Sequence, residues 1–289
     1  MIDKPALPAS VRSPLDAITI EKAARRFDIP CGEGTMVWRC WGDGEPVVLL
    51  HGGSGSWTHW VRNIAALVTA GRQVWIPDLP GFGQSARPPV GGDADALPEP
   101  VESAMRELLG DAAVDLVGFS FGGMVASFIA AQYPARVRRL VLVGAPALGV
   151  NSGWKLVLKR WNHLEPGKER DAIHRENIGR MMLARPESID ELAIAVHSGN
   201  LPRDRMKLRR LSRTDILRRT LPKIRCQVHG IWGSEDVLYR GVQDQLAPAL
   251  ACAPDFRGLV QVPGSGHWVQ FEDAAAFDEA LAAALQCST

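Results

Sequence analysis

A serine bracketed by glycines, Gly118-Phe119-Ser120-Phe121-Gly122-Gly123, sets the frame for this chain. Residues 114–117 before it are apolar and read as a buried strand. Residues 124–132 after it read as a helix, closed by Tyr133-Pro134. Strand, sharp turn and helix form the setting of a G-x-S-x-G nucleophile elbow. On such a turn the serine hydroxyl is pushed out to where substrate can reach it. The glycines let neighbouring chain pack close around a strained backbone. The helix N-terminus just beyond favours negative charge. The plain alternative is a structural turn without chemistry, and the strand and helix on either side weigh against it.

The same alternation runs along much of the chain. Residues 24–30 and 35–41 flank Gly32-Glu33-Gly34 and predict a hairpin. Residues 47–50 are wholly apolar, as in a strand covered on both faces, and deliver His51-Gly52-Gly53-Ser54-Gly55-Ser56. A helix is expected over 59–69. A strand over 73–76 leads into Asp78-Leu79-Pro80-Gly81-Phe82-Gly83-Gln84-Ser85, and a helix follows over 99–109. Beyond the elbow comes a strand over 138–143. This pattern predicts an α/β fold with a doubly wound, mostly parallel sheet.

The alternation stops at Ala145-Pro146. From there to about residue 222 helical patterns dominate, arginine is frequent and strand signals are lacking, which predicts a helical insertion over the sheet's carboxyl edge. The sheet resumes over 225–232, followed by Gly233-Ser234-Glu235-Asp236. A helix over 243–251, a strand over 259–262, Pro263-Gly264-Ser265-Gly266-His267 and an alanine-rich helix over 274–285 complete the pattern. The expected organisation is an N-terminal arm over 1–22, punctuated by Pro5, Pro8 and Pro14, a core over 23–144 and 223–289, and the insertion over 145–222. Such an arm can also pack on a second copy, in a homodimer.

A chain of 289 residues suits one sizeable domain with a smaller insertion. A formal net charge of +1 offers no global field to recruit nucleic acid. Cys31, Cys40, Cys226, Cys252 and Cys287 are scattered without C-x-x-C spacing, as expected of reduced thiols in a cytoplasmic protein. No apolar run follows a basic start or approaches the ~20 residues of a membrane span, so neither a secretory leader nor a membrane anchor is expected. No histidine pair has metal-ligand spacing backed by a carboxylate, and no metal or other cofactor is expected. The glycine-rich 52–55 loop lacks the G-K-[ST] ending of a nucleotide loop and the G-x-G-x-x-G spacing.

His51-Gly52-Gly53, the 78–85 loop, the elbow, Gly233-Ser234-Glu235-Asp236 and Gly266-His267 together resemble the α/β-hydrolase fold superfamily, over about residues 25–285. That family uses the chain order Ser, Asp, His, which implies Ser120, Asp236 and His267, each just past a predicted strand's carboxyl end. In an open parallel sheet those ends gather around one crevice. The resemblance implies Ser120 as nucleophile, His267 as general base and then acid, and Asp236 as the group that holds the imidazole tautomer. Glu235 and Asp78 are rivals for the acid; the family pattern favours 236 and makes Asp78 a turn residue. The implied oxyanion donors are the backbone N–H groups of Phe121 and Gly53. His51 would support the oxyanion loop, His229 would be structural, and His163, His174 and His197 would lie on the polar surface of the cap.

A serine nucleophile argues against the dehalogenases and epoxide hydrolases, which attack through aspartate. Esterases, lactonases, amidases, cofactor-free haloperoxidases and C–C bond hydrolases remain. His267-Trp268-Val269-Gln270-Phe271-Glu272 is similar to the subgroup that cleaves meta-cleavage products, in which a tryptophan commonly follows the catalytic histidine. That subgroup usually has Asn before the nucleophile, where this chain has Phe119. Its cap arginine has no aligned counterpart; Arg180 and Arg185 are candidates by location. The expected substrate-contacting residues are Gly52, Phe119, Trp268, Trp57, Arg180 and Arg185, with Trp154, Trp161, Met181 and Met182 as further candidates for an apolar wall. Over residues 155–225, Lys and Arg outnumber Asp and Glu about two to one. This suits an anionic small-molecule substrate, or equally a solvated helix surface or a subunit contact. The leading expectation is hydrolysis of an ester or related acyl bond of a small, partly apolar substrate. The alternatives are C–C hydrolysis of a 2-hydroxy-6-oxo-dienoate and a ligand-binding module on the same fold.

Overall fold

The apolar runs become the strands of a single sheet. The computed structural model describes residues 6–8, 10–150, 153, 156–206 and 208–286. The strands are β1 (Arg25–Cys31), β2 (Gly34–Trp41), β3 (Glu45–Leu50), β4 (Arg72–Pro77), β5 (Val114–Phe119), β6 (Val137–Val143), β7 (Gln227–Gly233) and β8 (Phe256–Val262). They lie in the order β1-β2-β4-β3-β5-β6-β7-β8. β1 and β2 form the expected hairpin, β2 runs antiparallel to β4, and the remaining pairs are parallel. The winding reverses between β3 and β5, where Leu50 pairs with Gly118. Their two carboxyl ends therefore open side by side into the crevice where open α/β sheets bind ligands.

Burial explains the strand composition. Every residue of β5 is buried, and β3 is buried from Val47 to Leu50, so both read as continuous apolar runs. The edge strands β1 and β8 carry exposed residues. Successive residues of a strand serve opposite faces: Leu116 joins the core cluster under α3 (Pro98–Leu109), α4 (Phe121–Gln132) and α8 (Leu246–Leu250), while Val117 joins the cluster under α2 (Ile64–Thr69) and α10 (Ala274–Ala284).

Between β6 and β7 lie α5 (Lys168–Met181), α6 (Glu191–Asn200) and α7 (Ile216–Thr220), with no strand among the described residues. Leu192, Ala193 and Val196 of α6 bury into the second cluster, and Leu217 of α7 into the first.

Four local expectations are corrected. The second half of the N-terminal arm is a helix, α1 (Pro14–Ala23). Pro14 sits in its first turn, where a missing N–H costs nothing, and Ser13 and Asp16 form a capping box. Ile20 is buried, its carbonyl accepts the Trp41 indole N–H at 2.8 Å, and Glu21 pairs with Arg39 at 2.7 Å. The helix expected over 59–69 divides into a 3-10 turn (Trp57–Trp60) and α2, because the Asn63 side chain turns away to bond the Gln270 carbonyl and Asp278. The helix over 243–251 is likewise a 3-10 turn followed by the short α8. Residues Val269–Glu272, read only as a motif, form a helical turn, α9.

Cys31, Cys226 and Cys252 are free thiols, and the Cys40 sulfur accepts from the Arg25 guanidinium at 3.2 Å. Cys287, Trp154, Pro5 and the rest of residues 1–5 lie outside the described residues. Among the described residues no helix is long and apolar enough to cross a membrane.

Candidate active site

β5 ends at Phe119 and α4 starts at Phe121, so Ser120 alone makes the turn. It does so at φ 50° and ψ −117°, a left-handed conformation that costs a non-glycine residue ~1–3 kcal/mol. Its N–H donates to the Val143 carbonyl at 2.7 Å and its carbonyl accepts from the Gly123 N–H at 2.8 Å. A Cβ at Gly122 would stand 2.5 Å from the carbonyl oxygens of Leu50 and His51. No side chain fits there, because backbone meets backbone between α4 and β3.

Two other loops reach the serine. Asp236, after β7, and His267, after β8, are both buried. His267 Nε2 is 2.9 Å from Ser120 Oγ, and His267 Nδ1 is 2.8 Å from Asp236 Oδ2. The other Asp236 oxygen accepts the Leu238 N–H at 3.0 Å, which fixes the carboxylate. With Nδ1–H donated to the carboxylate, the Nε2 lone pair faces the hydroxyl proton, so the arrangement can take that proton as general base. The loop that carries His267 is anchored in turn. Glu272 accepts the N–H groups of Gly266 (2.6 Å), Arg185 (2.6 Å) and Ala184 (3.0 Å).

The loop after β3 lies beside the elbow. His51 Nδ1 is 2.8 Å from the Gly52 carbonyl, and its Nε2 accepts the Leu79 N–H at 2.9 Å. The Gly52 N–H donates to His59 Nδ1 at 3.2 Å. Burial pushes the His51 ring down to about 4 and holds His59 well below the ordinary histidine range, so both are neutral. Ser54, at φ 52°, donates to Asp204 at 2.6 Å and accepts from Arg209 at 3.0 Å, and Arg209 also pairs with Asp204. A Cβ at Gly53 would come 2.4 Å from Arg209 Nη1, so the guanidinium covers that glycine. Burial pushes Arg209 down to about 10, against the attraction of Asp93, and it remains a cation at neutral pH.

The expected substrate-contacting residues divide. Gly52 and Phe119 are in contact: a Cβ at Gly52 would lie 2.9 Å from the Phe119 ring, which also packs 5.1 Å from His267 and 5.5 Å from His59. Phe121 turns its ring onto Phe82 at 5.5 Å and leaves its N–H in the first turn of α4. Trp268 is 1% exposed, stacked on Phe271 at 4.0 Å, and bonds the His59 carbonyl at 2.9 Å, so it buttresses the site from behind. Trp57 packs against Trp41 and under Arg39, and it borders a groove between α1 and α6 whose lining includes none of Ser120, Asp236 and His267. Arg180 is engaged by Glu176 and the Val157 carbonyl on an exposed face. Arg185 is held by the Glu272 carbonyl and Asp273. The cation that meets the loop after β3 is Arg209 instead.

His174 and His197 depart from the expected polar surface. Their rings meet at 5.4 Å, His174 is fully buried, and the Trp161 ring packs tilted against it at 5.4 Å. Asp78 is the turn residue expected of it, accepting from the backbone of Trp57 and Gln84 and pairing with Arg39. Among the described residues no three His, Cys, Asp or Glu side chains group to hold a metal. His59, Arg209 and Glu272 were not singled out from the sequence. Their partners lie 7, 155 and as many as 88 residues away, and only Glu272 falls within a quoted motif, where nothing marked it as an anchor.

A family model described as alpha/beta hydrolase fold matches residues 45–171. The 2-hydroxy-6-oxo-6-phenylhexa-2,4-dienoate hydrolase of Burkholderia cepacia is 31% identical over 82% of this chain and 86% of its own length. The 2-hydroxy-6-oxononadienedioate/2-hydroxy-6-oxononatrienedioate hydrolase of Comamonas testosteroni is 30% identical over the same shares. Among solved structures, an esterase from Exiguobacterium antarcticum superposes with a TM-score of 0.72 at 21% identity, over 90% of this chain and 98% of that one. With relatives this similar along most of both chains, and the sheet order and crevice described above, this chain belongs to the α/β-hydrolase fold family and is a hydrolase of it.

Proposed function

We propose that this hydrolase cleaves an ester or related acyl bond of a small, partly apolar substrate through Ser120, His267 and Asp236, without a cofactor. The observation that carries the reading is the unbroken line from Asp236 Oδ2 to His267 to Ser120 Oγ, at 2.8 and 2.9 Å. Ser120 Oγ attacks the carbonyl carbon while His267 Nε2 takes its proton. The negative charge that forms on the carbonyl oxygen is met by the N–H groups of Phe121 and Gly53. His267 returns the proton to the leaving alcohol, then deprotonates the water that releases the acyl group. The helical insertion acts as the cap, and Arg209, in the strap that follows α6, supplies a cation beside the oxyanion loop for an anionic substrate.

One second reading has support: hydrolysis of a C–C bond in a 2-hydroxy-6-oxo-dienoate. The names of the relatives and the position of Arg209 favour it. In that chemistry His267 assists ketonisation of the dienol, and Ser120 activates water or becomes acylated. Phe119 counts against it, since a phenyl ring offers no donor where the subgroup has an amide.

Wild type and Ser120→Ala, assayed on a p-nitrophenyl ester series and a 2-hydroxy-6-oxo-dienoate, test the reading. Ester turnover that falls by about 10⁴-fold or more on losing the hydroxyl supports it. Near wild-type turnover in Ser120→Ala would sink the serine mechanism. Efficient dienoate cleavage with slow ester turnover would select the second reading. A fluorophosphonate that leaves Ser120 unlabelled would point to a binding module.

A further inference from the structure

We propose that His59 is a positioning residue of the oxyanion loop: protonated on Nε2, it holds the peptide before Gly52 and, together with His51, fixes the aim of the Gly53 N–H. This rests on the reading of Gly53 as an oxyanion donor.

The argument starts from which atoms can donate. A backbone N–H only donates, so the Gly52 N–H, 3.2 Å from His59 Nδ1, requires a lone pair there. His59 therefore carries its proton on Nε2. The Leu79 N–H likewise requires a lone pair on His51 Nε2, at 2.9 Å. His51 therefore carries its proton on Nδ1 and donates it to the Gly52 carbonyl at 2.8 Å. The two buried rings hold opposite tautomers.

The consequence reaches the Gly53 N–H directly. The Gly52 carbonyl and the Gly53 N–H are opposite ends of one planar trans peptide, so holding the oxygen aims the hydrogen the other way. His59 fixes the peptide on the other side of the Gly52 Cα. Glycine has more backbone freedom than any other residue, and here both of its peptide planes are clamped. His59 is itself anchored. Its carbonyl takes the Trp268 indole N–H at 2.9 Å, its ring packs against Trp268 at 5.0 Å and Phe119 at 5.5 Å, and the loop closes so tightly that a Cβ at Gly55 would lie 2.3 Å from the ring.

Protonation of either ring would break the clamp, since an imidazolium has no lone pair for a backbone N–H. The surroundings oppose protonation. His59 is buried and faces His51, His197 and His267; His51 is buried and faces Arg209 and Asp78, and burial outweighs both Asp78 and the Gly52 carbonyl, which favour its charged form.

Two variants and one spectrum test this. Asparagine places an amide oxygen close to where Nδ1 stands, whereas leucine fills space without an acceptor. His59→Leu is expected to lower kcat on a p-nitrophenyl ester about 10–100-fold with KM little changed. It is expected to weaken inhibition by a trifluoromethyl ketone, whose hemiketal oxyanion uses the same donors, by a similar factor. His59→Asn recovers about fivefold or more of both losses. In 15N spectra of the wild-type imidazoles at pH 7, His59 is Nε2-protonated and His51 is Nδ1-protonated. His59 found as the Nδ1–H tautomer overturns the proposal, and so does His59→Leu with unchanged kcat and ketone affinity. A loss that His59→Asn does not repair means packing alone and overturns it too. If His59→Leu fails to fold, the wild-type tautomers and His59→Asn decide. Wild type that neither cleaves esters nor binds the ketone would instead remove the serine-hydrolase reading, and the proposal with it.

Discussion

Asp236 has one task for each oxygen: Oδ1 takes a backbone N–H and Oδ2 takes His267 Nδ1. Asparagine keeps the size and the first bond but can turn its NH₂ toward Nδ1. The imidazole then carries its proton on Nε2 and faces Ser120 with a donor instead of a lone pair. Asp236→Asn is therefore expected to lower kcat by about 10³–10⁴-fold while the melting temperature changes little. Steady-state kinetics paired with a thermal melt would check this, and a loss below tenfold would contradict the assigned role. The positions of Ser120, Asp236 and His267 were legible because each stands beside glycine-rich or acidic turn residues directly after an apolar strand run. The fold brings them within hydrogen-bond reach. His59 and Arg209 were not legible. Each touches backbone or side chains of the loop after β3 through contacts that only the folded chain creates, and nothing in local spacing distinguishes Arg209 from the other arginines of its segment.

Two carboxylates at the C-terminal end of the chain show how elements are tied to the site. Glu272, at the end of α9, is fully buried at its side chain and accepts three backbone N–H groups. One belongs to Gly266, next to His267; the others belong to the segment after α5. Glu272→Ala leaves those donors unpaired. It is expected to cost about 2–4 kcal/mol of stability and to lower kcat as the His267 loop loosens. Urea unfolding and ester kinetics on the same preparation would measure both, and full stability in the variant would exclude the anchor. Asp278 in α10 works with the opposite sign. Burial raises its carboxyl to about 7, although the Asn63 side chain donates to it at 2.8 Å. Between about pH 4 and 7 the folded chain holds a proton that the unfolded chain releases, so this group's contribution to stability falls as pH rises through that window. Asp278→Asn removes the penalty. The variant is expected to match wild type near pH 4 and to exceed it by roughly 1–3 kcal/mol at pH 8, read from urea midpoints. At this scale the strands were legible because burial on both faces leaves few polar residues in β3 and β5. α1 was not expected because Pro14 was counted with Pro5 and Pro8 as punctuation of an arm, whereas it marks a helix start. The break before α2 was missed because its cause, Asn63 reaching Gln270 and Asp278, lies more than 200 residues away.

The helical segment between β6 and β7 packs on both core clusters through α6 and α7 and is tied to the loops of the sheet by the strap after α6. The Arg205 N–H bonds the Gly81 carbonyl, Met206 is buried against Gly81, and Asp204 and Arg209 grip Ser54. The doubly wound plan was legible from the alternation of runs, but these ties were not, since they join loops that the chain order keeps far apart. The consequence is cooperative unfolding, and acid is the sharpest probe of it. His51 and His59 in the core and His197 in the insertion are kept neutral by burial, the first and last down to about 4 and His59 well below its ordinary value. In the unfolded chain each titrates near 6.5. Between those limits unfolding takes up close to three protons, while Asp278 releases one. The net uptake means that stability falls as pH drops from 6.5 toward 4, by roughly 2–3 kcal/mol per pH unit at mid-window. His174 and His229 are shifted the same way and steepen the fall. Asp278→Asn removes the opposing proton, so its slope should be steeper still, near three protons. Urea melts at half-unit steps, followed by tryptophan fluorescence and far-UV circular dichroism, would read the slope. A flat profile between pH 6.5 and 4.5 would mean that the histidines are not held neutral in the fold. Two separate transitions would mean that the strap does not couple the insertion to the core.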